Sequence, residues 1–311
     1  MIEIFKSLRI LILISSCSLI LGCYPPEPTR SPNSRTDKYL SKLPDSWKLS
    51  TLAFIGSHSS AAYDENLNEH VKTQDMSIST QLESGIRVLD ITVHLTNNTF
   101  VMHHYYFHLS ITFDELLIEV QNFLENHPQE LVIIFMQEEF DAKKNHKSNC
   151  YVLKKYITKF RDLFVDHWSI DDTLGQHRGK ILLARGNVGF QGCTQSLPCK
   201  IQNDHRKSNW KLKEHKWQAI KSLQDEIFQR DRKFQCYINF LSISSGVSKT
   251  PREIARSMRG QSRRGSGVDL TFTDGMVELM TGYFVNSKNV LYIIFADFPY
   301  YRLCDTITEM N

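Results

Sequence analysis

Beyond about residue 45 the chain alternates two apolar patterns: short runs rich in β-branched residues, and longer stretches with an apolar position every three or four residues. Phe54-Ile55 predicts a short strand before a Gly/Ser/His turn. Residues 86–94 (IRVLDITVH) read as a strand. Strand side chains alternate, so Asp90, Thr92 and His94 share one face. A second strand, 99–103, follows an Asn97-Asn98 turn. Phe113, Leu116, Leu117, Val120, Phe123 and Leu124 fall at helical spacing, with Thr112 set to cap the N-terminus. Residues 131–136 form an apolar strand running into Gln137-Glu138-Glu139. A helix is predicted near 150–165, a strand at 180–184, a largely helical region at 210–228, and strands at 237–241 and 290–296. Strands alternating with helices imply a mostly parallel α/β sheet, either a barrel or a doubly wound sheet.

The first residues have a different pattern. Lys6 and Arg9 precede a short apolar run, Ile10 to Leu21, in the order of a secretory signal. That run is short for a membrane span and interrupted by serines. Its end, Ile20-Leu21-Gly22-Cys23, resembles the lipobox of bacterial lipoproteins, where cleavage precedes a lipid-modified cysteine. The Pro- and Ser-rich stretch that follows suits an extended, solvated tether. The expected organisation is a signal peptide over 1–22, a tether over 23–45 and one catalytic domain over 46–311. The expected location is the cell envelope, lipid-anchored at Cys23, or secretion.

Composition narrows the classes. With 311 residues, 41% hydrophobic and 23% charged, the chain is an ordinary globular protein. A net charge of +3 gives no footing for a nucleic-acid partner. Of seven cysteines, Cys17 lies in the signal and Cys23 is the lipidation candidate. Cys150, Cys193, Cys199, Cys236 and Cys304 remain, an odd set that leaves a free thiol or an intermolecular bond. Cys193 and Cys199 are close in sequence and could pair in an oxidising compartment. There is no zinc-like Cys/His spacing, no GxGxxG turn and no GxxxxGK[ST] loop.

In parallel barrels the chemistry sits at the carboxyl ends of strands. Here those ends carry His58, the Asp90/Thr92/His94 face, His103-His104, Gln137 to Glu139, Arg185 and Asp297. Singly, each has an ordinary structural role: a hydrogen-bonded histidine, a helix cap or a salt-bridge partner. Jointly, two histidines and a carboxylate can supply a general base, its orienter and a general acid.

These residues lie in segments that resemble one family in order, over about residues 50–305. Residues 54–60 (FIGSHSS) are like its PGTHDS turn, and residues 77–91 (SISTQLESGIRVLDI) are like its QL..GIR..D.R segment. Val101-Met102-His103-His104, the helix and strand of 113–139, Arg178 to Leu183, residues 237–246 (YINFLSISSG) and residues 293–298 (IIFADF) continue the match. The chain is similar to the phosphatidylinositol-specific phospholipase C X-domain family, of the small bacterial type.

The resemblance implies a distorted TIM-like α/β barrel and a two-histidine mechanism. His58 is then the general base on the inositol 2-hydroxyl, whose oxygen attacks phosphorus to give a cyclic phosphate. His104 is the general acid for the departing diacylglycerol oxygen, Asp297 orients His58, and Asp90 braces the site. Arg185 contacts phosphate or inositol hydroxyls, and Asp204 stands near the expected inositol-binding aspartate. The implied partner is a phospholipid membrane carrying phosphatidylinositol or a glycosylphosphatidylinositol, met by a monomer. No cofactor is implied; calcium is conceivable, but no complete site is evident.

Two positions depart from the family pattern. Ser59 stands where Asp or Asn is usual. Thr92 stands where metal-free members carry a charge-stabilising arginine and calcium-dependent members an acidic ligand. Losing one such donor typically costs on the order of 10²–10³ in rate. His94, on the same strand face, is one candidate replacement cation, and His103 competes with His104 for the acid role. Two other readings follow from these departures: a phosphodiesterase for another lipid headgroup, or an impaired barrel that only binds an inositol glycolipid.

Overall fold

A computed structural model of the chain describes residues 36–139, 147–204, 212–229, 233–243, 249–256, 258–264, 267–273, 275–282 and 289–311. The signal, most of the tether, Cys23 and Ser244 to Gly246 lie outside the described residues.

The strands are β1 (Ala53–Ser57), β2 (Val88–Thr96), β3 (Thr99–His104), β4 (Phe107–His108), β5 (Val132–Glu138), β6 (Ile181–Arg185), β7 (Lys200–Gln202), β8 (Cys236–Phe240), β9 (Met258–Arg264), β10 (Gly267–Thr273) and β11 (Leu291–Ala296). The helices are α1 (Ile78–Glu83), α2 (Phe113–Asn126), α3 (Asn149–Lys159), α4 (Leu212–Phe228), α5 (Pro251–Ala255), α6 (Met276–Gly282) and α7 (Tyr301–Thr308). From β1 the parallel pairing runs through β2 and β5 to β6 in one direction, and through β11 and β8 to β7 in the other. The parallel strands thus follow chain order around the sheet without reversal. That rules out the doubly wound alternative and makes this a curled, TIM-like barrel. Strands β3 and β4 form an antiparallel extension of β2, and β9–β10 is a separate hairpin.

Alternation along the strands separates two cores. Phe54, Val88, Ile133, Phe135, Leu182, Ile238, Phe240, Ile293 and Phe295 point into the barrel, closed below by Leu40, Leu49 and Leu52. Residues of opposite parity, such as Ile55, Leu89, Ile91, Ile134, Tyr292 and Ile294, pack outward against the helices. Helix α2 has the predicted apolar stripe, and Thr112 and Glu115 close a capping box. Gly56 is needed where it stands: a Cβ there would come within 2.7 Å of the Phe295 ring.

Three expectations change. The helix predicted near 150–165 stops at Lys159, because Leu163 and Phe164 turn to pair their backbone with β6 and bury their side chains. Residues 36–43, read as the end of the tether, pack onto the barrel. Tyr39 and Leu40 are buried there, and Glu130 accepts from the Ser41 backbone N–H (2.9 Å). Glu130 is itself paired with fully buried Arg87 at 2.9 Å.

Cys193 and Cys199 do not pair with each other. The bonds are Cys150–Cys193 and Cys199–Cys236, and Cys304 is the buried free thiol. The segment between the two cysteines leads from the Ala184–Gln195 bridge beside β6 to β7 beside β8. Each cysteine therefore meets a different neighbour.

Candidate active site

The turn after β1 is built by small polar side chains. The Ser60 hydroxyl donates to the Ser57 carbonyl (2.9 Å) and accepts from the Asp90 N–H (2.8 Å). Ser59 adopts a left-handed backbone (φ 41°), a conformation that Asn and Asp tolerate better than serine. Its N–H donates to Asp90 Oδ2 at 3.2 Å. Gln74, fully buried, donates to the His58 and Ala296 carbonyls at 2.7 and 3.2 Å. These bonds fix the backbone that carries His58.

His58 Nδ1 lies 2.7 Å from Asp297 Oδ1, at the end of β11. This carboxylate sets the tautomer, leaving Nε2 to face the site. On the other side of the gap the His104 ring stands perpendicular to His58, centroids 6.0 Å apart. His104 Nδ1 lies 2.7 Å from the Val71 carbonyl and donates to it, so its Nε2 is also turned to the gap. The floor is aromatic: Phe240 stacks on Phe295 at 4.7 Å, and its ring edge meets His58 at 6.1 Å.

The two histidines are driven in opposite directions. Burial works against charge on His58, but the charge and hydrogen bond of Asp297, helped by Asp90, outweigh it and raise its pKa above the usual 6.5. His104 is pushed down to about 4, by burial first and by His58 second. Asp90 is raised by burial, against the opposing pull of His58 and its bonds to Ser59 and Gln137.

The other expected site residues are distributed around this pair. Asp90 is buried behind the β1 turn and holds the Ser59 N–H and the Gln137 amide. Thr92 is buried in β2, opposite Gln137 of β5. Arg185 ends β6, and its guanidinium donates to Ser196. Asp204 follows β7, its N–H on Gln202 Oε1 at 2.7 Å. His94 and His103 do not join the pair. Their rings lie 5.4 Å apart, and His103 lies 4.3 Å from His108. Alternation along β3 sends His103 to the opposite side from His104.

Sequence reading missed Gln74 and Lys216. Lys216 on α4 is 1% exposed, donates to Gln202 Oε1 at 3.1 Å, and acts electrostatically on His58. Its signal was available: it falls on the apolar stripe of Ile220, Leu223 and Ile227.

No complete calcium site is assembled around Asp90 among the described residues. Both Asp90 oxygens already accept hydrogen bonds, and Gln137 and Thr92 carry no charge, whereas calcium takes six to eight oxygens including carboxylates. Among the described residues the one cluster of potential ligands is Asp37, Glu83 and His127. No helix of the described residues is long and apolar enough to cross a membrane.

Residues 46–180 match the PI-PLC X family model (PI-PLC X 1). The 1-phosphatidylinositol phosphodiesterase of Staphylococcus aureus (strain Newman) is 25% identical over 243 residues, covering 68% of this chain and 77% of that protein. The same-named protein of Listeria monocytogenes serovar 1/2a is 26% identical over 249 residues, covering 73% and 74%. In structure the chain is similar to the phosphatidylinositol-specific phospholipase C of L. monocytogenes, with a TM-score of 0.67 and 22% identity over 89% of this chain and 98% of that one. A structure of the S. aureus phospholipase C gives a TM-score of 0.69 and 19% identity over 89% and 98%.

Proposed function

We propose that this chain, a member of the phosphatidylinositol-specific phospholipase C X family, cleaves phosphatidylinositol or a glycosylphosphatidylinositol to diacylglycerol and an inositol cyclic phosphate. The observation that carries the reading is the pair of histidines facing across 6.0 Å, one of them backed by Asp297 at 2.7 Å. His58 Nε2 takes the proton of the inositol 2-hydroxyl as its oxygen attacks phosphorus. The proton gained stays on His58 Nε2, and Asp297, which stays ionised, stabilises the imidazolium through its contact with Nδ1. His104 Nε2 donates to the glycerol oxygen as the P–O bond breaks. In the free protein His104 resists protonation, but a phosphodiester anion between the rings favours a proton there. Asp90 acts as a positioning residue through the Ser59 N–H. No metal takes part in these steps.

Engagement of a lipid surface is supported by the turn that follows His104. Tyr105 and Phe107 are about half exposed, and Tyr106 is 82% exposed. Such a cluster of exposed aromatic side chains suits a membrane interface. An envelope or secreted location, with lipid attachment at Cys23, is supported by the signal-like start and by two disulfides, which persist in oxidising compartments.

The test is phosphorus NMR of phosphatidylinositol vesicles incubated with the protein, with and without a chelator. A cyclic inositol phosphate signal in both supports the reading. A signal only with added calcium refutes the metal-free mechanism, and release from neither phosphatidylinositol nor glycosylphosphatidylinositol refutes the substrate assignment.

A further inference from the structure

Helix α4 packs through one stripe, in which Ile220, Leu223 and Ile227 are buried. Lys216 stands one turn before Ile220 on that stripe and is 1% exposed. A leucine or methionine would satisfy this position as packing. An ammonium there costs several kcal/mol in desolvation unless a charge or hydrogen bonds compensate.

Among the described residues the compensation is incomplete. Lys216 Nζ donates to Gln202 Oε1 (3.1 Å) and to the Asp204 carbonyl (3.3 Å), both neutral oxygens. An ammonium has three protons to give. Asp204 and Asp297 favour its charge from a longer range, and burial nevertheless lowers its pKa to about 7. Its acceptor is held rigidly, since Gln202 Nε2 donates to Asn239 Oδ1 at 2.7 Å and to the Phe240 carbonyl at 2.9 Å. Phe240 in turn supports His58, ring to ring at 6.1 Å. A buried cation is thereby fixed behind the strand end beside the base, on the side of the site away from Thr92.

We propose that Lys216 is the phosphate-binding cation of this site, meeting a non-bridging oxygen of the phosphodiester and stabilising the charge that grows there in the transition state. The proposal rests on the phosphodiesterase reading above. It answers the departure at Thr92: the positive charge is carried by a helix after β7 and not by β2. Lysine suits this task as a point charge for phosphate, and a dry site strengthens its effect.

The experiment compares wild type, Lys216→Met and Lys216→Arg on phosphatidylinositol vesicles and on the two phosphorothioate diastereomers of the same lipid, with thermal melts of each protein. Lys216→Met is expected to lower kcat by about 10²–10³, to melt no lower than wild type, and to reduce the preference for oxygen over sulfur at one diastereotopic position. Lys216→Arg is expected to recover at least about tenfold of the loss. A Lys216→Met protein within about threefold of wild-type kcat overturns the proposal. So does a loss accompanied by a lower melting temperature and an unchanged thio preference. If wild type releases no inositol phosphate, the phosphodiesterase reading falls, and binding of inositol 1-phosphate then judges Lys216 separately. Weakening by about tenfold or more in Lys216→Met supports the phosphate site, and equal binding overturns it.

Discussion

Asp297→Asn removes the charge behind the proposed base. Asparagine keeps the size and hydrogen-bonding reach of the buried aspartate, whose Oδ1 stands 2.7 Å from His58 Nδ1. The negative charge goes, and with it the acceptor-only carboxylate that fixes the His58 tautomer. Two unit charges about 4 Å apart attract by about 4 kcal/mol at an effective dielectric constant of about 20. The amide dipole retains part of that, so the transition state, in which His58 is cationic, loses about 2–4 kcal/mol. That corresponds to about 30- to 10³-fold in kcat. The pH profile supplies a second, independent readout. A general base works when neutral, so kcat/KM rises with pH through the His58 pKa. Burial lowers that pKa, and Asp297 reverses the balance and holds it above 6.5. Removing the charge leaves burial in control, so the acid limb moves to lower pH while the plateau falls. The assay is release of inositol phosphate from phosphatidylinositol vesicles across pH 4–9. A variant within about threefold of wild-type kcat, with an unmoved acid limb, would refute an electrostatic role for Asp297.

Two further predictions concern stability. His104 takes up a proton near 6.5 when unfolded but near 4 when folded, so its burial opposes folding as pH falls through that window, by up to roughly 3 kcal/mol. His104→Asn should therefore gain stability over wild type between pH 6.5 and 4, read from urea midpoints; a difference that stays constant from pH 7 to 4 sinks this account. Glu130→Gln leaves the buried Arg87 guanidinium without its counter-charge and should lower stability by about 3–5 kcal/mol. It should also speed proteolysis within residues 36–43, whose backbone Glu130 and Arg87 hold; a variant that melts with wild type would show the pair to be dispensable.

The alternation of strands and helices was legible because the strands are short apolar runs and the helices have the 3.6-residue period; the choice of a barrel over a doubly wound sheet rested on the family resemblance. The β1 turn, the Asp90 strand and the Asp297 strand were read directly, and the structure brings His58, His104 and Asp297 together. Three things were hidden. The disulfide partners depended on where the segment around residues 193–199 runs in space, which sequence distance does not report. The packing of residues 36–43 depended on a buried ion pair assembled from Arg87 and Glu130, far from that segment in sequence. Lys216 was hidden for the opposite reason: its spacing marked it as core, but its charge made it look like a solvated residue.

The segment from Cys193 to Gln202 completes the barrel wall. It touches β6 through a single bridge, Ala184 to Gln195, and β8 through the three residues of β7. Those are few hydrogen bonds with which to close a cylinder. Covalent bonds stand at both ends of the segment: Cys193 is fastened to α3 through Cys150, and Cys199 to β8 through Cys236. The barrel is therefore riveted along one seam. While those thiols are kept reduced, the seam is the weakest line in the molecule, and Gln202, which supports Lys216, hangs on it. Reduction of both bonds would leave that seam to the Ala184–Gln195 bridge and the three residue pairs of β7 with β8.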